Sequence, residues 1–139
     1  MSGDIMRDLS EDEIWHLVEA NAFGRLAFAV AGAPDIVPIN YIAHERKLYF
    51  RSSEGSKLLG VTINQQIAFE IDEVEDGIAR SVIMYGSARE LTTSEELEWA
   101  QTLPLRPWVP TLKYHFVEIS IDEASGREFR LGPDPLAQG

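Results

Sequence analysis

The sequence predicts a mostly β domain, an antiparallel sheet closed into a small barrel with helices on its outside. Six or seven short segments alternate apolar and polar residues, with turn-forming residues between them at short intervals. Two or three segments show helical spacing, too few and too irregularly placed for a parallel doubly wound sheet. At 139 residues the chain fits one domain over 1–139, large enough to bury a core without covalent staples.

Residues 1–9 and 132–139 read as flexible ends. Ser10 and Glu13 form a capping-box pattern ahead of Ile14, Leu17, Val18 and Asn21, which predicts an amphipathic helix over about 11–21 that Gly24 ends. Residues 25–30 then alternate as a first strand, with Leu26, Phe28 and Val30 on one face. A turn at 31–35 leads into a second strand over 36–43, which pairs back as a hairpin. Pro38 interrupts that strand. Proline has no N–H for a ladder, so it belongs at an edge, at a bulge or where a ligand replaces a neighbouring strand. A polar turn at 44–46 precedes a third strand at about 47–52, and Leu58, Leu59 and Val61 suggest a short helix that Asn64 ends.

A fourth strand over 65–72 puts Ile67, Phe69 and Ile71 on one face. An acidic turn at 73–77 leads to a long fifth strand over 80–91, where Gly86 signals a bulge or tight curvature. Thr93 is the expected cap of a helix over 93–103, with Leu97, Ala100 and Leu103 inward. Residues 104–110 hold three prolines and Trp108, a sixth strand follows over 113–121, and a short last strand is expected over 127–131.

Composition removes whole classes of function. The chain has no cysteine, which excludes disulfides, thiolate metal sites and thiol nucleophiles. Twelve basic against 23 acidic residues give a net charge of −11, which opposes general attraction to nucleic acid or anionic lipid. No apolar stretch approaches the roughly 20 residues of a membrane helix and the N-terminus lacks a secretory pattern, so the expected location is cytoplasmic and no membrane is expected as a partner.

Against that acidic background, the last seven residues of the stretch from Val37 to Lys57 gather two cations, several hydroxyls and a helix start: Arg51, Ser52, Ser53, then Gly55, Ser56 and Lys57. Such a set suits a phosphate monoester, with Arg51 as a planar fork and Lys57 as a point charge. Lys57 at a helix start opposes the helix dipole unless an anion sits there. Arg46 and Lys47 read more plainly as a solvated strand edge. His16, His44 and His115 lack both a positioning acid in sequence and any ligand spacing, so neither a serine-type triad nor a metal site is expected. No complete Walker loop or GxGxxG is present, which argues against nucleoside triphosphate chemistry.

VPINY at 37–41, LYFRSSEGSKL at 48–58, AFEID at 68–72 and SVIMYGSARELT at 81–92, in this order and spacing, resemble the pyridoxamine 5′-phosphate oxidase-like flavin-binding proteins. GRLAF at 24–28 and Gly126-Arg127 agree with the smaller branch that includes nitroimidazole-resistance proteins. The resemblance implies a six-stranded antiparallel split β-barrel that works as a homodimer, with one FMN in each of two clefts shared between the subunits. It implies that Pro38, Ile39, Asn40 and Tyr41 lie along the flavin ring, largely through their backbone. Phe50, Arg51 and Ser52 match positions near the ribityl chain and phosphate, Ser56 and Lys57 match the pair that grips the phosphate, and Arg80, Ser81 and Val82 match a strand from the other subunit.

The implied activity is that of an FMN-dependent oxidoreductase taking electrons from a nicotinamide nucleotide or another donor to a small organic acceptor. The alternatives are a noncatalytic module that binds flavin, haem or deazaflavin, and an interaction domain with a vestigial cleft. Two departures narrow the expectation. Arg51 stands where nitroimidazole-resistance relatives commonly carry histidine, and the chain ends in GPDPLAQG, without the basic tryptophan-containing segment of vitamin B6 oxidases. Vitamin B6 oxidation is therefore not expected. Tyr41 and Phe50 also read as core aromatics, and Trp108 reads equally as a lid over the cleft or a plug at the barrel end.

Overall fold

The computed structural model describes residues 5–53, 66–105 and 114–132. Strands β1 (Met6–Asp8), β2 (Phe23–Val30), β3 (Ala33–His44), β4 (Lys47–Ser53), β5 (Gln66–Glu75), β6 (Ile78–Glu90) and β7 (Tyr114–Arg130) are joined by helices α1 (Glu11–Ala20) and α2 (Ser94–Ala100). Every pairing is antiparallel, and the strands run β1-β7-β4-β3-β2-β5-β6 with β6 pairing back to β7. Strands β7, β4, β3, β2, β5 and β6 thus close into a ring of six, a mostly β split barrel as the sequence predicts. The expected helix after residue 57 and, of the proline-rich run, residues 106–110 with Trp108 lie outside the described residues.

Local chemistry explains most boundaries. Both helices begin in complete capping boxes: the Ser10 and Thr93 side chains accept from the Glu13 and Glu96 backbones, and those glutamates accept in return from the cap N–H groups. Helix α1 stops at Ala20, where the Asn21 N–H donates to the Val18 carbonyl and its side-chain amide to Leu17 O at 2.8 Å. Gly24, expected to end the helix, instead lies within β2. A Cβ there would come 2.5 Å from the Phe69 ring, so Gly24 is required by packing.

The β3–β4 hairpin turns on Glu45 and Arg46, both left-handed at φ 50° and 61°. Neither is a glycine, and the turn is held from outside: Arg46 donates to Glu11 and Asp12 at 2.7 and 3.0 Å and lies 6.0 Å from the Trp15 ring centre.

Two expectations are corrected. Residues 6–9 are not a frayed end. Met6, Arg7 and Asp8 pair with Phe129, Glu128 and Arg127, Leu9 N–H donates to Gly126 O at 2.9 Å, and Arg7 bonds both Glu128 and Glu13. All three strand residues are exposed, so no apolar alternation marks them. The sixth and last strands expected separately are one strand of 17 residues. Their alternation breaks at the bulge, where the register passes from Tyr85–Glu123 to Gly86–Ile121 and leaves Asp122 unmatched.

The barrel interior is filled by Leu26, Phe28, Ile39, Tyr41, Leu48, Phe50, Ile67, Phe69, Ile71, Val82, Met84, Val117 and Ile119, joined by the apolar face of α1. A second cluster lies on the outer face, where Tyr49, Leu91, Ala100, Leu105 and Phe116 pack beneath α2. Beside it the buried Glu118 accepts from Tyr49 Oη at 3.0 Å and Arg89 Nε at 3.1 Å, with Lys47 Nζ at 3.7 Å, which satisfies a carboxylate taken out of water.

Two predictions follow from these contacts. A Cβ at Gly86 would lie 2.0 Å from the Ser120 carbonyl oxygen, a backbone atom that no rotamer change can move. Gly86→Ala should cost about 3 kcal/mol or more, read as the urea midpoint, and an unchanged midpoint would refute the close approach. Arg7 and Arg89 donate to Glu13 and Glu96, and with the cap N–H groups they hold both carboxyls at about 2 against an ordinary 4.5. Carboxyls held low contribute stability that is complete above about pH 4.5 and is lost as the pH falls through about 2. The double variant Glu13→Gln, Glu96→Gln should lose less of its urea midpoint between those limits than the wild type does; equal losses would deny the two caps this role.

Candidate functional site

The site begins where two neighbouring strands part. Pairing of β3 with β4 runs from His44–Lys47 to Tyr41–Phe50 and stops there. Beyond that point, among the described residues, the ladder of β3 continues with β2 and that of β4 with β7, so the β3–β4 pairing opens between Asn40 and Arg51. Pro38, Ile39 and Asn40 border the opening on one side, with Arg51 and Ser52 on the other. These two groups, eleven positions apart at Asn40 and Arg51, are brought together by a hairpin.

The alternation of each strand decides what faces the opening. Tyr41 N–H donates to Ala22 O at 3.0 Å, which places Ile39 in the same hydrogen-bonding direction, toward β2. Pro38 falls opposite Arg25 in a non-hydrogen-bonded pair, so its missing N–H lies on the open side. This is the edge position its chemistry demands. The side chains of Ile39, Tyr41 and Phe50 are buried in the barrel core. Tyr41 Oη donates to Val18 O at 2.6 Å and its ring meets Phe69 edge-on at 4.9 Å, while burial raises its phenol well above the ordinary range. The side chains of Ile39, Tyr41 and Phe50 are thus committed to the core and the N–H and C=O groups of Ile39 and Tyr41 are directed to β2, so the cleft is bordered by the outward backbone of Pro38, which is exposed, and of Asn40, which is half-buried.

Arg51 and Ser52 point to opposite faces of β4. The Arg51 guanidinium carbon lies 5.5 Å from the centre of the Phe116 ring, on the outer side. Ser52 is buried, and among the described residues its Oγ has no hydrogen-bond partner. An unmatched buried hydroxyl of this kind fits a site that receives an acceptor such as a phosphate oxygen. Ser56 and Lys57 lie outside the described residues.

Arg80, Ser81 and Val82 are elsewhere. Arg80 Nε donates to Glu128 at 2.8 Å and one terminal nitrogen reaches Glu73 at 3.4 Å; Val82 is fully buried; Ser81 is half-buried between Asp72 and Arg127. On β7 the partner of Arg51 is Phe116 and that of Ser81 is Arg127. Eleven positions separate these, about 35 Å measured along a strand. One copy of the chain therefore does not gather both groups at one point. Arg80 instead borders an open groove of about 710 Å³ lined also by Arg7, Asp12, Glu13, His16 and Glu73.

One pair was hidden from the sequence. His115 Nδ1 lies 2.5 Å from Glu90 Oε2, so this histidine does have a positioning acid, at the end of the barrel where Ser52 lies. The two residues are 25 apart in the chain and on different strands, and no local pattern could signal it. His16 and His44 are exposed, and no group of three or more potential metal ligands occurs among the described residues. None of the described helices is long and apolar enough to cross a membrane.

Comparison with known proteins agrees with this architecture. A sequence model of the family described as pyridoxamine 5′-phosphate oxidase matches residues 10–128. An uncharacterised protein of Mycobacterium tuberculosis is 39% identical over 90 residues, 65% of this chain and 82% of that protein. A Corynebacterium glutamicum protein, solved as a candidate pyridoxamine 5′-phosphate oxidase, is 36% identical with a TM-score of 0.87, covering 96% of this chain and 100% of the other. The FAD binding protein of Mycobacterium smegmatis is also 36% identical, with a TM-score of 0.82 over 91% of this chain and 100% of its own.

Proposed function

Because the chain belongs to the pyridoxamine 5′-phosphate oxidase family, we propose that it binds a flavin where β3 and β4 part and acts as a flavin-dependent oxidoreductase on a small organic acceptor. The observation that carries the reading is the opening itself: where the β3–β4 ladder ends, the edge of β3 faces a rim with Arg51 and a buried Ser52 hydroxyl that has no hydrogen-bond partner among the described residues. A flat ring laid along Pro38, Ile39, Asn40 and Tyr41 meets the outward backbone groups of Pro38 and Asn40, while Arg51, Ser52, Ser56 and Lys57 are the proposed source of cations and hydroxyls for its phosphate. The 36% identity to an FAD binding protein supports a flavin. FMN is the form proposed, and FAD contains the same riboflavin 5′-phosphate unit.

When bound, the flavin supplies the electron transfer; the chain holds it, orients it and shields it from water. A nicotinamide nucleotide is the proposed donor and the cytoplasm the proposed setting. Vitamin B6 oxidation is not part of the proposal. The separation of Arg51 from Ser81 along β7 favours a homodimer in which Arg80, Ser81 and Val82 of one subunit approach the flavin held by the other. The outward side of β2, β5 and β6, where Phe23, Ile83 and Tyr85 are partly exposed around the Arg25–Glu70–Asp72 ion pairs, is the face proposed for such a contact.

Two measurements test this. The purified protein should show flavin absorption bands, release FMN or FAD on denaturation at about one per chain, and have its flavin bleached by a nicotinamide nucleotide and restored by an acceptor. A colourless protein that binds no added flavin would sink the reading, and a flavin that no donor reduces would leave a binding module. Light scattering should give about twice the 15.6 kDa chain mass, whereas a monomer that binds flavin fully would exclude a shared cleft.

A further inference from the structure

Three polar side chains from three strands meet at one rim of the barrel. On β4, Leu48 and Phe50 face the interior and Tyr49 faces α2, so Ser52 lies on the interior side. On β7, Val117 and Ile119 are interior and Phe116 is exterior, which turns His115 inward. On β6, Ala88 is interior and Leu91 belongs to the outer cluster, which does the same for Glu90. Ser52 and His115 are direct register partners, and Glu90 is the partner of Val117, one inward position along.

The hydrogen bonding of the three is incomplete in one direction. The 2.5 Å contact between His115 Nδ1 and Glu90 Oε2 commits that nitrogen and fixes the ring. Among the described residues, Nε2 has no bond of its own and Ser52 Oγ has no partner, although Ser52 is only 5% exposed. Leaving a hydroxyl buried and unmatched is unfavourable, a cost that alanine at this position would avoid. The chemistry favours an oxyanion. A serine O–H and a protonated imidazole N–H both donate, and the Glu90 carboxylate is already turned to His115; Arg51 lies on the opposite face of β4.

We propose that Ser52 and His115 form a phosphate-binding subsite and that His115 is a ligand of the flavin phosphate, with Glu90 as its positioning residue. The proposal rests on the flavin reading above. As an imidazolium, His115 donates through Nδ1 to Glu90 and through Nε2 to a phosphate oxygen, and Ser52 Oγ–H donates to the same group.

Riboflavin, which is FMN without the phosphate, isolates this contact. Fluorescence titrations of the full chain with FMN and with riboflavin should show Ser52→Ala and His115→Gln each raising the Kd for FMN about tenfold, with the Kd for riboflavin unchanged. Glu90→Gln should act in the same direction by a smaller factor. Parallel weakening of both flavins would reduce these residues to structural ones and overturn the proposal, as would no change for either. Ser52→Ala removes a single atom, so the test stands even where His115→Gln does not fold. A wild-type chain that binds neither flavin would instead overturn the reading of the preceding section, and the subsite with it.

Discussion

The pairing of β6 with β7 closes the ring, and most of the remaining structure is placed by it. β7 carries β6 along one edge while its other edge serves β4 in its first half and β1 in its second. The seam bends around the barrel at the Gly86 bulge, where the backbones approach more closely than any side chain permits. Because β7 is continuous, it fixes the distance between Arg51 and Ser81, and so decides which residues one chain can bring together. It also sets His115 opposite Ser52. The geometry of the candidate site is therefore a property of the closure rather than of the loops beside it.

Short-range chemistry was legible in the sequence, and long-range pairing was not. Both capping boxes, the hairpins around Gly32 and Asp76-Gly77, and the inward face of Ile67, Phe69 and Ile71 are written in residues within a few positions of each other. The opening between Asn40 and Arg51 belongs to the same class, since one hairpin creates it and Pro38 marks its edge. By contrast, β1 exists because the edge of β7 is available, and its own three residues carry no periodicity. Gly24 looked like a helix stop because the ring it accommodates, Phe69, is 45 residues away; here tertiary packing decided the residue. The Glu90–His115 contact and the distance from Ser81 to Arg51 depend on register across separate strands, which no single segment encodes.

The charge pattern has a similar division of labour. Arg7, Arg25, Arg46, Arg80 and Arg89 are each held by two carboxylates, so the acidic chain uses much of its own positive charge to tie strands and helices together. Exposed pairs of this kind add little stability individually. Their arrangement still leaves the surface as a whole repulsive to polyanions, while a small anion can be favoured at one rim by a few oriented donors.

The open side of β3 has one more consequence, for the behaviour of many copies in a crowded solution. A strand with an unpaired edge is a template onto which another chain can add, the first step toward aggregation. Positions 34, 36, 38 and 40 turn their backbone away from β2. Two of the four are proline and have no N–H, and the N–H of Ile36 is already bonded to the Asp35 carboxylate at 2.8 Å. A foreign strand laid here would find three of the four backbone donors it needs missing or already used. The gap in the barrel is thus guarded against strand addition by the composition of its own edge.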